Sequence, residues 1–120
     1  MSFPEITLPR MVKVQQQIAS PQLDDFVAAI HHEMHRSGVK QQISPGAEIA
    51  ITAGSRGVAH YPQILAAIVD VVKEAGGHPF IIPSMGSHGG ATPEGQIEVL
   101  HSLGITSETV GAPIRASMEV

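Results

Sequence analysis

The sequence predicts an α/β fold, a mostly parallel sheet with flanking helices. Two observations predict it: short apolar strand patterns alternate with helix-length amphipathic ones, and the most glycine-rich loops directly follow strands. At 120 residues the chain has room for one domain, residues 1–120, with a core that needs no disulfide or metal.

Residues 11–18 (MVKVQQQI) begin with apolar–polar alternation and suit an edge strand. Ser20-Pro21 then opens a helix, with serine as N-cap and proline at the first helical position. Leu23, Phe26, Val27, Ile30 and Met34 recur at helical spacing, Asp24, Asp25, Glu33 and Arg36 form the polar face, and Gly38 is the stop. Pro45-Gly46 marks a turn before a short strand, Glu48–Ala53. A loop over residues 54–60 leads to a second helix opened by Pro62, with Leu65, Ile68, Val69 and Val72 on its core face and Gly76-Gly77 at its end. Residues 79–83 (PFIIP) form a buried strand that empties into residues 84–92 (SMGSHGGAT). A third helix starts at Thr92-Pro93, carries Ile97, Val99, Leu100 and Leu103 inward and ends at Gly104; residues 114–120 complete the pattern as a last strand. Crossovers of this spacing point to a three-layer, Rossmann-like fold.

Composition narrows the function. Without cysteine the chain has no disulfide, thiolate nucleophile, cysteine-ligated zinc or iron–sulfur centre. A formal charge of −4 and only four aromatic side chains disfavour nucleic acid as a partner. No run approaches the 18 apolar residues of a membrane span, and the N-terminus lacks the pattern of a secretory signal, so a cytoplasmic location is expected.

Ligands of open parallel sheets bind beyond the carboxyl ends of the strands, where both glycine loops fall. In the second, Gly86, Ser87, Gly89, Gly90 and Thr92 allow close approach to backbone and lead to a helix N-terminus that favours an anion. His88, among small neighbours, is the candidate general acid or base. Arg56, with Ser55 beside it, is the candidate grip for a carboxylate or phosphate. Neither loop carries the dinucleotide fingerprint or a P-loop, which argues against an ordinary nicotinamide or ATP site. His31 and His35 share a helix face, but the zinc-protease pattern is broken by Arg36, and no native metal is expected there. Ser55, Ser84 and Ser87 lack a nucleophile elbow, which disfavours a serine hydrolase; His60, His78 and His101 read as structural or surface groups.

Residues 53–57 (AGSRG) and 83–92 (PSMGSHGGAT) make the stretch 45–112 resemble the N-terminal domain of the lactate racemase family, which uses a nickel-pincer nucleotide; the likeness is greatest to an uncharacterised branch. The resemblance implies inversion of a small 2-hydroxy acid by a racemase-type isomerase, with hydride taken up and returned by the cofactor. It implies His88 as the first catalytic histidine, Arg56 with Ser55 as the substrate-carboxylate site, and Gly86, Ser87, Gly89, Gly90 and Thr92 along the cofactor. The family's aspartate three residues before the arginine is Ala53 here. Its cofactor-bearing lysine, nickel-ligand histidine and second catalytic histidine would fall beyond Val120. The chain is therefore expected to be the N-terminal part of a longer enzyme, inactive alone. A non-catalytic module for a small anion or nucleotide is the alternative, and a purely structural domain a third reading. A sheet ending at Val120 would leave an open edge, so a homo-oligomer or strand exchange is expected.

Overall fold

Glu48–Ala53 (β1) and His78–Pro83 (β2) pair as parallel strands in register, with Ile51 opposite Ile81. The structure is a computed structural model that describes residues 10–119. In chain order, α1 (Phe26–Arg36) and α2 (Val39–Gln42) precede β1, and α3 (Tyr61–Glu74) crosses to β2. A 3₁₀ turn (Gly89–Ala91), α4 (Pro93–Ser102) and α5 (Ser107–Val110) follow. The described residues thus form a mixed fold with a small two-stranded parallel sheet and flanking helices.

Alternation along the strands sends odd-numbered residues to one face, where Ala53 and Ile81 are fully buried. Leu65 and Val69 of α3, Leu100 of α4, Ile105 in the link after α4 and Val110 of α5 close over them. Helix α4 begins as its sequence dictates, with the Thr92 side chain accepting from the Gly95 N–H at 3.1 Å and Pro93 in the first turn. The even-numbered face carries Phe80 and Ile82, outside that core cluster. There the Arg115 guanidinium lies 4.3 Å from the centre of the Phe80 ring and bonds Glu48 at 2.8 Å.

Three expectations are corrected. Residues 11–18 are not a strand: they lie exposed, with Met11 90% and Val14 80% accessible, and they pair with no strand among the described residues; alternation without a partner strand builds no sheet. The first helix starts at Phe26, not Pro21, because the Asp25 carboxylate accepts from the Ala28 N–H at 2.9 Å and caps it there, leaving Leu23 64% exposed. The last strand shrinks to one bridge, in which Ile81 donates to Pro113 O and Arg115 donates back to Ile81 O, each at 2.8 Å. Pairing ends where the Arg115 side chain turns across the sheet toward Glu48; residue 120 lies outside the described residues. No helix among the described residues is long and apolar enough to cross a membrane.

Candidate functional site

The parallel ladder runs one residue past β2, since the Ser84 N–H donates to Ala53 O at 2.7 Å. The two loops therefore leave the sheet side by side. In the first, the Gly54 N–H donates to the Tyr61 hydroxyl at 2.8 Å, folding residues 54–60 back onto the start of α3. His60 N-caps α3 in the left-handed region (φ 58°), and its ring stacks on Phe26 at 4.9 Å, so it fastens α1 to α3.

In the second loop, buried Met85 roots the chain in the core. Beyond it Gly86, Gly89, Gly90 and Ala91 all have positive φ, a left-handed turn that glycine makes cheaply and alanine does not. The turn is held from below by the buried Gln96 side chain, whose Nε2 donates to Gly86 O at 2.8 Å and to His88 O at 3.4 Å.

These constraints bring Ser55 and His88 together, with Ser55 Oγ and His88 Nδ1 2.6 Å apart across 33 residues of sequence. Either atom can donate, according to the imidazole tautomer. In both cases the serine fixes the ring and leaves Nε2 for a ligand. Arg56 is exposed beside Ser55 and makes no side-chain hydrogen bond or ion pair among the described residues, so its guanidinium is available to an anion.

The glycines named for a cofactor divide differently. Gly89, Gly90 and Thr92 line an open cleft of about 600 Å³ together with Glu94, Glu98 and Ser102; Ser55, Arg56 and His88 are not among its lining residues. The Thr92 hydroxyl is already engaged, donating to Gly89 O at 3.2 Å and accepting from the Gly95 N–H. With that donor occupied and two carboxylates along the cleft, these residues do not fit a phosphate-bearing group such as a pincer nucleotide. Gly86 and Ser87 are exposed and lie outside that cleft.

Among the described residues no group of three or more His, Asp or Glu is placed to hold a metal ion. On α1, Glu33 accepts from Arg36 at 2.8 Å, which holds its carboxyl below the usual range. Tyr61 and Gln96 are the residues that sequence reasoning missed. The chain's single tyrosine, at the end of a glycine loop, was a usable signal; Gln96 gave none, because a glutamine on an amphipathic helix reads as solvated. Comparison of the chain with family models, curated proteins and solved structures returned no match.

Proposed function

We propose that the loops after β1 and β2 form the carboxylate-gripping and proton-moving part of a site for a small 2-hydroxy acid, in a racemase-type isomerase like those of the lactate racemase family. The observation that carries this reading is the 2.6 Å contact of Ser55 with His88, beside an exposed Arg56 that has no side-chain partner among the described residues. Arg56 would hold the substrate carboxylate through two parallel hydrogen bonds. With Nδ1–H donating to Ser55, the Nε2 lone pair takes the substrate's hydroxyl proton, and the resulting imidazolium keeps the same serine partner.

A nickel-pincer nucleotide, when bound, supplies the hydride acceptor that no side chain here can be. The resemblance assigns its lysine, its nickel-ligand histidine and the second catalytic histidine to sequence beyond residue 120, and the cleft beside α4 is unsuited to its phosphate. No step is assigned to it on this chain. A three-layer Rossmann-like fold would follow if further elements covered the face of Phe80 and Ile82, and a cytoplasmic location accords with this reading.

Titration of the purified chain with lactate and with malate, followed by NMR of the His88 ring and the Arg56 guanidinium, tests the proposal. Saturable shifts of both groups, lost in Arg56→Ala, are expected, with no inversion of either acid. Failure to saturate at high millimolar concentration would overturn it. In a chain that includes the missing lysine and histidines, His88→Ala should lower turnover about 10²–10⁴-fold.

The exposure of both Arg56 and His88 favours a second reading, a non-catalytic module for small anions, because water has free access to the reacting atoms. Inorganic phosphate competing as well as the hydroxy acids, with His88→Ala binding unchanged, would select it.

A further inference from the structure

Register fixes which backbone groups of β1 are used. His78 and Ser84 donate to Ala47 O and Ala53 O, so β2 faces the odd-numbered carbonyls of β1. The N–H and C=O groups of Ala50 and Thr52 therefore point the other way, along an edge that carries no strand among the described residues. Both residues are exposed. Such an edge is a template for another strand.

The same molecule displays a segment suited to it. Residues 10–22 are exposed throughout, and no hydrogen bond ties them to the rest of the described chain. Within residues 11–18, Val12, Val14 and Ile18 fall with Gln16 on one side of an extended chain, and Lys13, Gln15 and Gln17 fall with Met11 on the other, so that the first side is the more apolar. Pro9 and Pro21 bracket the stretch and none interrupts it, so every ladder donor is present. Beside β1, the apolar side would continue the layer of Ile49 and Ile51, where the space around Gly77 is already packed by Ile43 and Val72.

We propose that residues 11–18 of one copy add as a strand to the free edge of β1 in a second copy. A two-fold axis lets each copy give an arm and receive one, so both edges and both apolar arms are covered at once. The arm's own chain does not fill the edge: the arm lies unbonded before α1, which packs on α3. The inference is independent of the proposed chemistry of Ser55, Arg56 and His88.

Sedimentation velocity, combined with amide exchange at Ala50 and Thr52 at low and high protein concentration, tests it on the purified chain and on the double variant Val14→Pro/Gln15→Pro. Adjacent N–H groups of a strand point to opposite sides, so one of the two prolines removes a ladder donor whichever way the arm runs, and an unchanged circular dichroism spectrum confirms that folding survives. A wild-type dimer is expected, with the two amides at least about tenfold slower at high concentration, and a monomeric double variant with both amides fast. A monomer at every concentration would overturn the proposal. So would a dimer that survives the two prolines, a dimer in which the two amides stay fast, or protection independent of concentration, which would mean that the arm folds onto its own chain.

Discussion

Gly89 and Gly95 meet backbone to backbone, so that a Cβ on Gly89 would stand 2.5 Å from both the Gln96 nitrogen and the Gly95 carbonyl oxygen. The contact seats the His88 loop on the first turn of α4, and it accounts for glycine at 89 without any ligand. Gly90 is different, since a Cβ there would meet nothing within 4 Å and only its φ of 69° resists substitution. Gly89→Ala should cost about 3 kcal/mol, the left-handed penalty plus overpacking against rigid backbone. Gly90→Ala should cost only about 1 kcal/mol. Urea denaturation of the pair decides the matter, and equal losses would show that the turn yields at Gly95.

Ala91 extends the same turn at φ 54° with a side chain that the left-handed region disfavours. Replacing it with glycine removes roughly 1–2 kcal/mol of backbone cost and adds about 0.4–1 kcal/mol of unfolded-chain entropy. Ala91→Gly is therefore expected to stabilise the protein by about 0.5–1 kcal/mol. A lowered denaturation midpoint would contradict the assigned strain.

What could be read from the sequence is what local physics decides alone. Glu48–Ala53 and the Thr92-Pro93 start of α4 fall where their patterns put them, because strand alternation, a capping hydroxyl and a proline at N1 act within a few residues. Residues 11–18 carry a strand pattern without a strand, since alternation specifies a face and not a partner. The short helices α2 and α5 have too few residues for periodicity to show. Ser55 and His88 could each be named from a loop at a strand end. Their contact could not, because it depends on Ser84 extending the ladder and on two positioning side chains, Tyr61 and Gln96.

Gln96 offers a test of that positioning. Its amide satisfies the Gly86 and His88 carbonyls from a buried site, so Gln96→Leu keeps apolar bulk and removes the donor. The loss should be about 1–2 kcal/mol, with faster amide exchange confined to residues 86–91. Unchanged exchange in that turn would assign its shape to the Gly89–Gly95 contact alone.

The link between α2 and the end of α3 predicts how stability responds to acid. Lys40 Nζ donates to the Glu74 carboxylate at 2.8 Å, and this hydrogen bond, with the lysine's charge behind it, holds the Glu74 carboxyl below its ordinary range. A carboxyl held low in the folded state contributes stability above its unfolded pKa and loses it as pH falls through the folded value. The advantage of the native chain over Lys40→Met should thus be constant near neutrality and disappear as Glu74 protonates, below the ordinary glutamate range. It should be small, because the pair is exposed to solvent, and should shrink further in salt. Denaturant titrations of both proteins from neutral to strongly acidic pH measure the difference directly. An advantage that grew on acidification would mean that Lys40 acts through packing of its methylene stem and not through Glu74.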